Sequence, residues 1–301
     1  MSLCPVSANH ALQIAAGVKG RHSGRSFERE LQSGLAALPL PAERLEEHSL
    51  GDLSQVIVDC WLREWGWERL DRLTVQIITG SKSDLWVTAG WEERSRAVGV
   101  SVKACSLKQP TNMQVHFTTA QAFCRALRGQ GMAVSAEAEV ELRKFCGEDG
   151  YRPLDANAVG RLTDPRRWFW EELTVGARSE WSTIWGAHQE LATKLVLCGA
   201  VCPPEYLVHR VAPGWVVVVR MSDLVAASVR QQGFAVKPYR VVKGRYPDPP
   251  GVWHEAPRFG IIQCQRAGQQ QHPAQLQFNL QSRYFAALGL VLRSYSKPTV
   301  L

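Results

Sequence analysis

Three short β-branched segments between residues 73 and 104 constrain the fold of this chain more than any other feature. The segments LTVQIITG (73–80), DLWVTAG (84–90) and RAVGVSVKA (96–104) are separated by links of only a few residues. Runs rich in Val, Ile and Thr are typical of β-strands, and links this short join antiparallel neighbours. The pattern therefore predicts a three-stranded meander at the centre of a sheet.

Helical segments and further strands surround this meander, so the chain is predicted to be an α/β protein. Helices are indicated where apolar residues recur every three or four positions behind a Ser, Thr or Asp that can serve as N-cap. A Pro- and Gly-rich segment (237–260) is typical of a surface loop, and a hairpin with a glutamine-rich turn follows it. The helices are predicted at 23–38, 53–70, 118–131, 135–150, 164–173, 178–199 and 222–233, with a buried strand at 214–220.

Net charge and cysteine content indicate which partners and which cellular compartment suit the protein. The chain has 35 Lys and Arg against 28 Asp and Glu, a net charge of +7. This excess suits a polyanion such as nucleic acid, although many basic proteins bind none. The sequence contains no run of about 18 apolar residues and no basic, apolar leader, and its eight cysteines include no C-x-x-C pair. We therefore expect a cytoplasmic protein with reduced thiols and no membrane partner.

An acid and a base stand in neighbouring predicted strands. Asp84 opens the second strand of the meander, and Lys103 closes the third, where another aliphatic residue would suit the pattern. Adjacent strands bring side chains on the same face within a few ångströms. A carboxylate there can bind Mg²⁺, and a neighbouring ammonium group can orient a water or steady charge on a phosphate. The alternative is an unrelated surface Asp and Lys at two strand ends.

The alternation of the third strand favours a functional pair. Val98, Val100 and Val102 share one face, so Ser101 and Lys103 share the opposite face. A buried lysine is costly without a partner, and a carboxylate that also binds a metal would supply one.

These residues resemble the signature of a nuclease superfamily. Asp84 followed by Ser101-Val102-Lys103 is similar to the Asp…(Glu/Asp)-x-Lys signature of the PD-(D/E)XK nucleases. The segment GRSFEREL (24–31) resembles the G-x-x-x-E-x-x-L helix of many type II restriction endonucleases, with Glu28 at the acidic position. Residues 215–232 and the C-terminal stretch that contains LQFN (276–279) resemble the MspI-like members.

The resemblance implies a fold and an activity. We expect a restriction-endonuclease-like α/β fold, with a mixed central β-sheet flanked by helices, in a single nuclease domain over residues 1–301. Its catalytic core would cover about 20–130, a helical middle 135–200, and a DNA-reading part 205–301. Such an enzyme would hydrolyse double-stranded DNA with Mg²⁺ at a short site, for example a GC-rich palindrome such as CCGG or a relative. It would act as a monomer or homodimer beside a cognate DNA methyltransferase.

The same resemblance implies roles for four residues. Asp84 would bind the metal, and Lys103 would position the attacking water. Glu28 would act on the metal through water. Ser101 stands where the superfamily usually has an acid, and its hydroxyl is a poor Mg²⁺ ligand that would reach the metal through water. The number of metals stays open for this reason.

Two further segments are candidates for DNA contacts. In AQLQFNL the amides alternate with apolar residues, which places them on one strand face where they could read base edges. A solvated strand face explains the same alternation. The loop after Lys103 and a basic stretch before the hairpin would meet phosphates, or would be solvated loops. The candidates are Gln275, Gln277 and Asn279 on the strand, Ser106, Lys108, Gln109, Thr111, Asn112 and Gln114 in the loop, and Lys237, Arg240, Lys243, Arg245 and Arg258 in the basic stretch.

Two other functions are compatible with these residues. One is a repair or structure-specific nuclease of the same superfamily, which the polar C-terminal hairpin disfavours. The other is a non-catalytic DNA-binding protein on a nuclease fold, which the presence of both Asp84 and Lys103 disfavours.

Overall fold

The computed structural model describes residues 24–46, 51–104, 113–152, 168–199, 202–231, 233–240, 253–266, 275–280 and 293–296. These residues belong to two compact units. The first unit lies within 20–113, 197–225 and 282–301, and the second within 114–196 and 226–281. Each unit is assembled from separated stretches of the chain. The predicted division into three consecutive parts of one domain stays a prediction. Within the described ranges, no helix has the length and apolar character that a membrane crossing requires.

Mixed α/β structure is present throughout the described chain. The strands are β1 (Ala42–Glu43), β2 (Arg69–Leu70), β3 (Arg72–Ile77), β4 (Leu85–Trp91), β5 (Arg94–Ala104), β6 (Met113–Thr118), β7 (Tyr206–Ala212), β8 (Trp215–Arg220), β9 (Phe234–Arg240), β10 (Trp253–Phe259), β11 (Ile262–Arg266), β12 (Leu276–Leu280) and β13 (Arg293–Ser294). The helices are α1 (24–36), α2 (Leu53–Trp65), α3 (Ala120–Gly129), α4 (Ala136–Cys146), a 3-10 turn at Trp170–Glu172, α5 (Val175–Ala187), α6 (Gln189–Cys198) and α7 (Met221–Arg230).

The first unit contains a six-stranded mixed sheet. Its strand order is β13-β8-β7-β5-β4-β3, and β5 pairs with β7 in parallel while the other pairs are antiparallel. The predicted meander is confirmed as β3, β4 and β5, but it forms one side of the sheet and not its centre. The centre includes β7 (YLVHRVA), which was not predicted from the sequence although Pro203-Pro204 before it and Pro213-Gly214 after it are turn signals.

Helices α1 and α2 pack on the valine face of this sheet. The apolar residues of α1 recur every four positions, so Phe27, Leu31 and Leu35 are all buried. They share a core with Trp61 of α2 and with the valines of β5. Asp52 caps α2 by accepting a hydrogen bond from the Gln55 backbone at 2.9 Å, and the left-handed Gly66 ends the helix.

The second unit contains a five-stranded sheet in the order β6-β12-β11-β10-β9. The C-terminal hairpin is confirmed as β11 and β12, which pair antiparallel. Aromatic rings form the core of this unit, including Trp181 and Trp185 of α5, whose ring centroids lie 4.8 Å apart, and Phe259, stacked on Trp185 at 5.5 Å. The tryptophans of α5 are therefore packing residues.

Two predicted helices in the second unit are wrong in detail. The helix expected at 178–199 is two helices, because His188 leaves helical geometry with φ −110° and ends α5. Gly186 lowers the helix propensity there, and the side chain of Gln189 bonds to the Gln231 backbone carbonyl at 3.3 Å. Of the helix expected at 164–173, the described part contains only the 3-10 turn at Trp170–Glu172.

The surface loop predicted at 237–260 is also wrong for its described residues. Residues 234–240 and 253–259 form β9 and β10, which pair over seven positions. Proline does not exclude these strands. Pro238 lies on the edge strand β9, and Pro257 precedes the part of β10 that pairs with β11.

Candidate active site

Asp84 is held between two strands at the point where β4 begins. Its backbone N–H donates to Val100 O at 2.9 Å, and its carbonyl accepts from Ile78 N at 3.0 Å. The hydroxyl of Ser83, just before it, donates to the carbonyl of Cys202 at 2.7 Å. The backbone of Asp84 is therefore positioned by β3, by β5 and by the segment before β7.

The carboxylate of Asp84 accepts three hydrogen bonds from residues of β5. Oδ2 accepts from Ser101 Oγ at 3.2 Å, from the Val102 backbone at 2.6 Å and from Lys103 Nζ at 3.0 Å. Oδ1 accepts no hydrogen bond from any described residue. The side chains of Lys103 and Asp84 remain 27% and 22% exposed, so water and a ligand can reach the pair.

The face pattern of β5 explains this convergence. Val98, Val100 and Val102 are buried in the helix-covered core, whereas Ser101 and Lys103 point to the opposite face beside Asp84. The spacing expected from the sequence therefore agrees with the geometry. The roles of these residues in catalysis stay predictions.

Glu28 of α1 is electrostatically coupled to the pair. Burial raises the pKa of Glu28, the negative charge of Asp84 raises it further, and Lys103 and Arg25 oppose these effects. A carboxyl group of raised pKa beside another carboxylate is typical of sites where a proton or a cation is shared.

Lys82 is a second lysine near the pair, and the sequence analysis did not single it out. Burial lowers the pKa of Lys82 to about 7, the positive charge of Lys103 lowers it too, and Asp84 and Cys198 oppose the change. The signal in the sequence was the segment SKSD (81–84), in which Lys82 precedes Asp84 by two positions.

His209 is the other residue that sequence reasoning missed. It pairs with Lys103 across the parallel β5–β7 ladder, and its Nδ1 lies 3.1 Å from the Lys103 carbonyl oxygen. Burial lowers the pKa of His209 from 6.5 to about 4. The hydrogen bond to the Lys103 carbonyl opposes this change, and the positive charge of Lys103 adds to it. The imidazole is therefore neutral near pH 7 and supports the backbone of Lys103.

The donor set fits a hard cation bound mainly by water and substrate. The described residues contain no group of three or more His, Cys, Asp or Glu side chains that could hold a metal ion. Mg²⁺ often binds through one or two carboxylates and completes its shell with water and phosphate oxygens. Asp84 offers Oδ1, and Glu28 is coupled to it. Ser101 is 5% exposed and its hydroxyl already bonds to Asp84, which gives no support to a direct metal bond.

The predicted loop contacts lie mostly outside the described residues. This applies to Ser106, Lys108, Gln109, Thr111 and Asn112, and to Lys243 and Arg245 of the basic stretch. Gln114 is exposed but belongs to strand β6 and not to a loop. Lys237 and Arg240 fall within β9.

Arg258 does not lie on an open surface. It is only 8% exposed, and its guanidinium donates to the Gly260 carbonyl at 2.7 Å. This placement in β10 gives no support to a phosphate contact, because the side chain folds back onto its own turn.

The amides of β12 lie on one face, as their alternation predicts. Leu276, Phe278 and Leu280 are fully buried on the other face. Gln277 Nε2 donates to Asn279 Oδ1 at 2.9 Å, and Asn279 Nδ2 donates to Gln265 Oε1 at 2.9 Å. Asn279 is only 3% exposed, so its amide bonds to neighbouring side chains and is largely shielded from solvent. Gln275 and Gln277 are more accessible.

The fold and this site define a class: a mixed α/β protein with a carboxylate–ammonium pair where one strand begins and its neighbour ends. No protein-family model matches the chain, and no curated protein matches it either.

Proposed function

We propose that this protein is a Mg²⁺-dependent endonuclease of the restriction type, which hydrolyses double-stranded DNA at a short sequence. The observation that carries the proposal is the 3.0 Å contact between Lys103 Nζ and Asp84 Oδ2 on a mixed sheet. On this proposal the sheet of the first unit is the restriction-endonuclease-like central sheet, with α1 and α2 as flanking helices.

Each residue of the site has a role that follows from its contacts. When Mg²⁺ is bound, it neutralises charge on the phosphate and makes a bound water more acidic. Asp84 offers Oδ1 as a ligand while β5 holds its Oδ2. Lys103 donates to Asp84 and to the Val102 carbonyl, so the third N–H of its ammonium group can orient a water or a phosphate oxygen. Glu28, with its raised pKa, is suited to accept a proton from a water.

DNA is the proposed substrate because of charge and side-chain chemistry. The net charge of +7 attracts a polyanion. Gln275 and Gln277 are amides on one strand face, and glutamine can pair with the edge of adenine in the major groove. A partner methyltransferase would protect the host's own sites, and it belongs to the proposal as well.

A cleavage assay tests the proposal directly. The protein is incubated with phage DNA and Mg²⁺, and the products are separated on a gel. Discrete bands are expected. A smear would indicate a nonspecific or structure-specific nuclease, and uncut DNA that is still retained would indicate a non-catalytic DNA-binding protein. DNA that is neither cut nor bound would contradict the proposal.

The variant Lys103→Ala tests the assigned role of the ammonium group. Cutting should fall by at least about 100-fold, the contribution typical of a positioned catalytic group, whereas DNA binding should stay close to that of the wild type. The matched control is Lys194→Ala, since Lys194 is an exposed lysine on α6. Equal loss of binding and cutting in Lys103→Ala would show that Lys103 acts in binding and not in the reaction.

A further inference from the structure

The turn that carries Lys82 is tied to a neighbouring segment. Ser81 Oγ and Ser83 Oγ both donate to the carbonyl of Cys202, at 3.2 and 2.7 Å, and the Ser83 backbone donates to Ser81 Oγ at 3.1 Å. Two hydroxyls that flank one residue and share one acceptor hold the backbone of that residue in place. The backbone of Lys82 therefore has a defined position, unlike that of a lysine on a solvated loop.

The path of the aliphatic part of Lys82 depends on the absence of a side chain at Gly199. Gly199 has φ +66°, and a Cβ added to it would lie 2.7 Å from Cγ of Lys82. Such a distance is shorter than carbon atoms tolerate, so the side chain uses the space that the missing Cβ leaves. Both the backbone and the stem of Lys82 are thus constrained by residues at the end of α6 and just after it.

The ammonium group of Lys82 lies within electrostatic reach of the candidate site. Lys103 and Asp84 both act on its charge, the first by repulsion and the second by attraction. Lys82 and Lys103 repel each other near one carboxylate, and burial lowers the pKa of Lys82 to about 7. An anion between the two side chains is favourable, because it removes the repulsion and stabilises the charged form of Lys82. A phosphodiester carries the single negative charge that this arrangement suits.

We propose that Lys82 binds a phosphate group of the DNA backbone next to the bond that the Asp84–Lys103 pair acts on. This inference rests on the proposed function and adds a substrate-binding residue to it. Lys103 then acts on the reacting phosphate, and Lys82 sets the register of the strand on the site. Phosphate contacts of this kind position DNA without reading its sequence.

The salt dependence of DNA binding tests this inference. We would measure the affinity for a linear duplex without divalent metal over a range of NaCl concentrations. Lys82→Met keeps the length of the side chain and removes its charge, so the slope of log K against log[salt] should become shallower by about 0.9, the value of one phosphate contact. Lys82→Arg should restore the slope. The control Lys194→Met should match the wild type.

The outcomes separate the two proposals. A wild type that cuts DNA, together with a Lys82→Met variant of unchanged slope, overturns the role of Lys82 and leaves the nuclease proposal intact. A wild type that neither binds nor cuts DNA overturns both. If Lys82→Met does not fold, as judged by its circular dichroism, Lys82→Gln takes its place, and an equal slope for Gln and Arg overturns the inference.

Discussion

The carboxylate of Asp84 is held in one orientation by the residues of β5. Its Oδ2 takes three donors from consecutive residues of β5, Ser101 to Lys103. In a regular antiparallel ladder the Val102 N–H would pair with a carbonyl, and here the carboxylate takes that place. The orientation of the acid is therefore set before any ligand arrives, which is the condition for efficient electrostatic stabilisation.

The variant Asp84→Asn should abolish stabilisation by Mg²⁺. A ligand that binds only the folded state raises its stability, by about 1.4 kcal/mol at ten times its dissociation constant. The wild type should show a rise in Tm with increasing Mg²⁺, and Asp84→Asn should show none, because the amide is a weaker ligand without charge. Differential scanning fluorimetry gives both values.

The matched control for this experiment is Asp223→Asn. Asp223 is an exposed acid, 55% accessible, at the start of α7. Its loss should leave the Mg²⁺-dependent rise unchanged. A rise of equal size in Asp84→Asn and the wild type would mean that the cation binds elsewhere.

His209 should make the stability of the fold depend on pH. Its pKa falls from 6.5 in the unfolded chain to about 4 in the folded one, because burial disfavours the imidazolium. The stabilisation is therefore complete above pH 6.5 and is lost progressively as the pH falls towards 4. The total is at most about 3 kcal/mol.

The variant His209→Gln should flatten this dependence. Urea denaturation at several pH values between about 4 and 7 measures the free energy of unfolding of each variant. His188→Gln is the control, since His188 is exposed and water solvates it in both states. Parallel pH profiles for the wild type and His209→Gln would show that the imidazole is not the group responsible.

At the scale of elements, the turn between β10 and β11 depends on the lack of a side chain at Gly260. Its φ is +50°, and a Cβ there would lie 2.1 Å from Ser228 Oγ and 2.6 Å from the Ser228 carbonyl. Backbone and buried polar atoms of α7 cannot yield easily. The turn thus approaches α7 more closely than any residue with a Cβ atom permits.

The variant Gly260→Ala should destabilise the protein by about 2–4 kcal/mol, from strain and overpacking together. Chemical denaturation measures the change. Gly129→Ala is the matched control, because Gly129 ends α3 with no atom within 4 Å of an added Cβ. That control should lie within about 1 kcal/mol of the wild type. A loss at Gly260 no larger than at Gly129 would contradict the close approach.

The polar face of strand β12 contains amides that bond within the sheet and amides that are accessible to a ligand. Its amides are connected to β11 through Asn279 and Gln265. The connection orients Gln277, which donates to Asn279, and it removes most of Asn279 from solvent. A base-reading role therefore fits Gln277 and Gln275 better than Asn279.

At the scale of the whole molecule, charge should control association with DNA. The net charge of +7 is the sum over the chain, and each Lys or Arg that meets a phosphate releases counterions. Retention of a DNA fragment should weaken steeply between about 50 and 500 mM NaCl, with a slope of about −0.9 for each contact. Filter binding measures this slope. An affinity for DNA that does not change with NaCl concentration over this range would exclude an interface dominated by phosphate contacts.

Three features of the molecule were already determined by the sequence. The meander follows from local β-branched segments with short links, and the helix starts follow from capping residues such as Thr119 and Ser135, whose hydroxyls bond to the third helical residue. The approach of Asp84 to Lys103 was predictable as well, because alternation and antiparallel pairing are local properties of neighbouring strands.

Only the tertiary structure decided where the meander lies and what surrounds the pair. The parallel partner of β5 is β7, and the contact between Lys103 and His209 joins residues 106 positions apart. The positions of Lys82 and Glu28 beside the pair depend on Gly199 and on the packing of α1. Pairing and packing over such separations are selected by the burial of whole faces, and no local pattern of residues encodes that choice.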